Sequence, residues 1–90
     1  MDSVERYRRK VDKLDRRIIN LLRKRYRTVK CIGSEKRKYH KPVKDQEREN
    51  QIIRKIDTLV PAGKCRKYVK SVYRVIFRAS CEAEDQSWTG

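Results

Sequence analysis

The feature that most constrains this chain is a run of apolar residues at helical spacing that meets no proline before Pro42. Val4, Tyr7, Val11, Leu14, Ile18 and Leu21 follow one another in alternating steps of three and four. Leu22 lies beside them, and Val29 and Ile32 take the pattern up again. Such spacing draws one stripe along a single α-helix. The expected helix runs from about residue 3 to 38, with Ser3 as a plausible N-cap and Glu5 in the first turn. At 1.5 Å per residue it would be roughly 50 Å long, well beyond the roughly 8–20 residues of an ordinary globular helix. A chain of 90 residues has too little left to cover such a rod, so a partner chain is expected to do it.

Pro42 and Pro61 are the only prolines, and they divide the chain into three parts. The second helix is expected over 45–60, with Asp45 as N-cap and a stripe of Ile52, Ile53, Ile56 and Leu59. The third is expected over 64–86, with Val69, Val72, Tyr73, Ile76 and Phe77 on its apolar face. The connections, Tyr39 to Lys44 and Val60 to Gly63, are short. No part alternates with the period of two that a half-buried strand needs, and neither an internal repeat nor a low-complexity segment is present. The reading is one all-α domain over 1–90, three helices, with the last residues, Trp88 among them, expected to fray.

Hydrophobic residues make up 37% of the chain and charged residues 42%, a thin core for a monomer of this size, which oligomerisation would remedy. No apolar run is long enough to span a bilayer. The opening residues, Met1 to Lys10, are charged and unlike a secretory signal. Cys31, Cys65 and Cys81 form no CxxC pair, and an odd number without a signal argues for free thiols in a reducing, cytoplasmic compartment. Cys31 and Cys65 with His40 have an irregular spacing that argues against a metal site. The net charge of +14 points to an anionic partner: nucleic acid, a membrane surface or an anionic metabolite.

Polar residues that interrupt the apolar stripes narrow the choice. Arg25 stands where the next apolar residue after Leu21 belongs, and Lys36 lies eleven residues on, three turns along nearly the same face. Glu49 extends the stripe of the second helix, and Ser80 and Glu84 extend that of the third. Buried charge is costly unless it is paired or used. One such residue alone reads as a snorkelling group at a helix end; five on three helices read better as a pocket for a small anion carrying hydroxyl groups.

These residues fall into an order. The long helix carries Arg8-x6-Asp15-x9-Arg25-x10-Lys36, the loop and second helix carry Pro42-Val43-x-Asp45-x2-Arg48-Glu49, and the last helix carries Ser80-x3-Glu84. In this the chain resembles the all-helical class of chorismate mutases from about Val4 to Glu84. The resemblance implies an intertwined, domain-swapped homodimer that rearranges chorismate to prephenate, in aromatic amino-acid biosynthesis, with no cofactor and no metal. It implies that Arg8 reaches into the partner's pocket. Helix geometry agrees, since Arg8 and Lys36 are separated by roughly 42 Å along one helix and cannot meet one small ligand within one chain.

By the same resemblance, Arg8 and Arg25 grip the two carboxylates of chorismate, and Lys36 bonds its ether oxygen and one carboxylate. Asp45 and Glu49 receive the ring hydroxyl, with Arg48 bracing that end, and Ser80 adds a donor near a carboxylate. Glu84 takes the position facing the ether oxygen opposite Lys36, where many relatives carry glutamine; here the side chain must hold a proton to donate, and Gln86 is two residues off the face. Arg25, Lys36 and Glu84 are the expected catalytic residues. Asp15 is expected to pair with a basic neighbour, while Asp45 would also serve as an N-cap and Ser80 as a small packing residue.

Two alternatives share the fold, an isochorismate-pyruvate lyase and an aminodeoxychorismate mutase. The presence of both Asp45 and Glu49 favours the chorismate mutase over the lyase, whose members tend to lose these acids. A third is a basic helical nucleic-acid-binding protein. Setting aside Arg8, Arg25, Lys36 and Arg48 still leaves 22 basic residues against 12 acidic, but the cations are spread over all three helices and form no recognised motif. A purely structural coiled coil is disfavoured because Arg25 would spoil its seam.

Overall fold

The computed structural model of the protein describes residues 2–85 and contains three helices: α1, Ser3–Lys38; α2, Gln46–Leu59; and α3, Lys64–Glu84. Helix α3 ends at Glu84, short of the expected limit at 86, because Asp85 is already extended; Gln86 and Trp88 lie outside the described residues. Helix α1 starts one residue earlier in its capping than the sequence suggests. The N-cap is Asp2, whose Oδ1 accepts from the Glu5 amide at 2.8 Å, so Ser3 is already helical. Asp45 caps α2 as expected, accepting from the Arg48 amide at 2.9 Å. Val60 is extended and closes α2 through its amide on the Ile56 carbonyl.

The turn after α1 hydrogen-bonds back on the helix, the Lys41 amide reaching the Lys36 carbonyl at 2.8 Å and that of His40 reaching Arg37 at 3.3 Å. His40 occupies the left-handed region, φ 55°, where glycine usually ends such a motif. Gly63, at φ 140°, supplies the conformation that starts α3 and that side chains rarely adopt.

Helix α3 packs on both α1 and α2, while α1 and α2 do not pack on each other. Val29, Ile56 and Phe77, one from each helix, are the buried apolar residues among those described, and Tyr73 sets its ring edge to face against Phe77 at 5.9 Å. Neither α2 nor α3 has a basic residue in its last turn. Each has an orphan terminal carbonyl capped instead by an arginine from elsewhere in the fold. Arg66, from the first turn of α3, donates to the carbonyls of Val60 and Asp57 at 2.8 and 2.9 Å. Arg37 of α1 donates to the carbonyl of Glu84 at 2.9 Å. The Lys70 ammonium, 2.6 Å from Asp57, adds a second tie between α2 and α3 and, as the largest cause, holds the Asp57 carboxyl below its ordinary range.

The part of α1 before Arg25 is exposed throughout. Val4, Tyr7, Val11, Leu14, Ile18 and Leu21 are each at least half exposed. The molecule is accordingly elongated, 55 × 30 × 16 Å. Leu59, expected on the inner stripe of α2, is the last residue of that helix and is exposed. Asp15 is exposed and makes no ion pair among the described residues, contrary to expectation. Its basic neighbours along α1 all point into water.

Candidate active site

Where α1 and α2 diverge, α3 forms the floor of a cavity of about 410 Å³. The α1 wall follows from helical periodicity. Arg25, Val29, Ile32 and Lys36 stand at successive intervals of four, three and four on one face, with Thr28 beside Val29, so two cations bracket a largely apolar strip. The opposite wall is Val43 of the loop, the N-cap Asp45, and Arg48, Glu49 and Ile52 of α2; the floor is Phe77, Ser80, Cys81 and Glu84. Seven of the eight expected site residues thus line one cavity. The eighth, Arg8, is far up α1, exposed, and paired with Glu5 at 3.2 Å.

Besides the Arg37 bond to the Glu84 carbonyl, two contacts between side chains join α1 to the floor. Arg25 Nη1 donates to Ser80 Oγ, which in turn donates to the Ile76 carbonyl at 2.7 Å. Ser80 therefore orients the guanidinium of Arg25. Lys36 Nζ lies 2.6 Å from Glu84 Oε1 and donates to the Val43 carbonyl at 2.8 Å. Both members of this pair are withdrawn from solvent, Lys36 to 17% and Glu84 to 9% side-chain exposure. Glu84 is the sole buried charged residue among those described, and its Oε1 meets Lys36 in an ion pair without a well-directed hydrogen bond. Burying two charges costs several kcal/mol per ion, which mutual attraction repays only with good geometry (about 3–5 kcal/mol is lost if one partner is removed).

The rim carries Glu49, whose two oxygens both accept from Lys44, at 2.9 and 2.8 Å. That bond is the main reason the Lys44 ammonium holds its proton above the ordinary range. Arg48 is exposed and leans on Gln51 at 3.3 Å. Cys81 shares the floor, half-buried, and burial followed by the carboxylates of Glu49 and Glu84 pushes its thiol up. Cys31 and Cys65 are exposed, and among the described residues no three of His, Cys, Asp and Glu gather as metal ligands would. No helix there is long and apolar enough to cross a membrane.

Several of these residues were not singled out from the sequence. Thr28 and Cys81 could have been, since each lies one helical step from a chosen residue. The Val43 carbonyl and Lys44 could not, because a loop's main-chain direction and a five-residue ion pair leave no periodic trace. Gly33 and Arg37, which meet the end of α3, carry no sequence signal either.

Arg25 and Lys36 on one wall, Asp45, Arg48 and Glu49 on the other, and Ser80 and Glu84 on the floor set both signs of charge and a hydroxyl around one cavity. The chain matches the chorismate mutase type II family over residues 7–85, and it belongs to that family: it is an enzyme that isomerises chorismate to prephenate. No curated protein and no solved structure matches it.

Proposed function

We propose that the cavity between α1 and α2 is the mutase site and that it works in an intertwined homodimer, each site completed by the partner subunit's Arg8. The observation that carries this is the convergence of seven residues, spread from position 25 to 84, on one cavity. The dimer is supported by the uncovered half of α1. Seven large apolar residues there, Ile19 among them, remain at least half exposed. Covering the remainder would contribute about 1 kcal/mol each at about 25 cal/mol per Å². The sum is comparable to the whole stability of a small domain. An antiparallel meeting of two such helices brings Arg8 of one towards Arg25 and Lys36 of the other.

Conversion of chorismate is a pericyclic rearrangement, so neither a nucleophile nor a base is needed. The site acts by holding the compact conformer and by opposing charge that builds on the ether oxygen as its bond breaks. Arg25, braced by Ser80, and the partner subunit's Arg8 grip the carboxylates, for which planar guanidinium groups suit two-pronged contact. Glu49 and Asp45 meet the ring hydroxyl, and Arg48 closes that rim. Lys36 donates to the ether oxygen from one side and Glu84, carrying a proton, from the other. In the ligand-free protein these two touch as an ion pair, so the substrate enters by parting them, and the freed Glu84 carboxylate takes a proton from water before it donates to the ether oxygen. The compartment is the cytosol and the product feeds aromatic amino-acid synthesis.

The test is direct. Purified protein should deplete chorismate with prephenate as the product. Isochorismate given in its place should release no pyruvate. Pyruvate release with chorismate untouched would replace the mutase by the lyase.

A further inference from the structure

We infer that Arg37 and Gly33 form a clasp on the last turn of α3, and that Arg37 is a positioning residue that holds Glu84 against Lys36. The inference rests on the proposed site and names what fixes one of its members.

Glu84 stands in a weak place. It is the last residue of α3, and Asp85 already has extended backbone. Carbonyls of a final helical turn lack intrahelical partners, and such turns fray. A side chain on that turn would wander by more than the few tenths of an ångström that a donor to a reacting oxygen tolerates. Yet Glu84 is among the most buried residues described, at 8% exposure.

Consecutive residues of α1 hold it at both ends. Lys36 Nζ meets the Glu84 carboxylate at 2.6 Å, and Arg37 Nη1 donates to the Glu84 main-chain carbonyl at 2.9 Å. A second arm of Arg37 donates to Ser34 Oγ at 3.2 Å, which fixes the guanidinium on its own helix. One turn earlier, buried Gly33 lets the two backbones close. A Cβ there would stand 2.6 Å from the Glu84 carbonyl oxygen and 2.8 Å from its Cα. The guanidinium also sits at the negative end of the α3 dipole, a place α3 itself leaves without a base in its last turn. Lys36 therefore contacts the group that would touch substrate, and Arg37 contacts only the main chain that carries it.

The experiment compares wild type, Arg37→Gln and Arg37→Lys, each with and without Glu84→Ala, by kcat and KM for chorismate. Glu84 faces charge that exists only in the transition state, so its displacement lowers kcat and spares KM. Arg37→Gln should lose about tenfold to a hundredfold in kcat, the scale of a misplacement near 1 Å, with KM within about twofold. Arg37→Lys should recover part of the loss, and in the Glu84→Ala background Arg37→Gln should cost nothing further. An unchanged kcat in Arg37→Gln overturns the clasp, as does an equal loss in the Glu84→Ala background. Hydrogen exchange gives a readout independent of turnover. The Cys81 to Glu84 amides should exchange faster in Arg37→Gln, and equal rates overturn the clasp even if wild type itself fails to convert chorismate, a failure that refutes the mutase site instead.

Discussion

Replacing Gly33 by alanine puts one methyl group where two helix backbones meet. The new Cβ would lie 2.6 Å from the Glu84 carbonyl oxygen, 2.8 Å from its Cα and 3.1 Å from its carbonyl carbon, whereas ordinary contact begins at 3.4 Å. The shortfall against the oxygen is about 0.8 Å (3.4 less 2.6), and the obstacle is backbone, which cannot swing aside like a side chain. Overpacking of this kind costs about 1–3 kcal/mol, while alanine gains about 1 kcal/mol over glycine within a helix. The net loss of stability is therefore about 0–2 kcal/mol, small enough for the protein to fold. The effect on chemistry is larger, because the last turn of α3 carries Glu84 away with it: a shift near 1 Å costs up to about 100-fold in rate. Urea denaturation and steady-state kinetics on one preparation separate the two effects. Gly33→Ala with activity within about threefold of wild type would refute the reasoning, because a shift of this size should cost more.

Three further outcomes follow from individual residues. Glu84→Gln supplies a permanent donor of nearly the same size. It should keep substantial activity, whereas Glu84→Ala, which can donate nothing, should lose most of its kcat; equal losses in the two variants would remove Glu84 from the ether oxygen. Cys81, its thiol pushed up by burial and by nearby carboxylates, stays protonated at neutral pH and is a poor nucleophile there. A disulfide reagent should therefore label exposed Cys31 and Cys65 first and reach Cys81 only as pH rises, with chorismate slowing that last phase; equal rates for all three thiols at neutral pH would contradict the site. His40→Gly relieves a left-handed residue, φ 55°, and should stabilise the protein by up to about 1 kcal/mol in denaturant titration.

The fold was legible because its determinants are periodic. The alternating steps from Val4 to Leu21 define α1, and Pro42 and Pro61 set the breaks, so helix limits follow within a residue or two. The end of α3 comes early, at Glu84, and the capping of α1 differs because Asp2 and Ser3 are both good caps and the choice depends on which carboxylate or hydroxyl reaches the Glu5 amide. The site was legible in so far as charge breaks an apolar stripe. Arg25, Lys36, Glu49, Ser80 and Glu84 betray themselves this way, and they do line one cavity. What was hidden depends on distances between helices. The direct Lys36–Glu84 contact, the Lys44 ammonium on Glu49 and the approach of Gly33 to the end of α3 are products of packing, with no counterpart in the spacing of residues along one helix. Asp15 shows the reverse error, a charge taken for a structural partner that the fold leaves in water.

The central claim is that each site is built from two chains, and mixing two dead proteins tests it. Arg8→Ala and Arg25→Ala should each be nearly inactive as homodimers. Refolded together in equal amounts, random pairing makes about half the dimers mixed, and each mixed dimer has one site with both arginines intact. Activity should return to about a quarter of the wild-type value, with each site acting alone. Verified mixed dimers without any recovered activity would contradict a site shared between subunits.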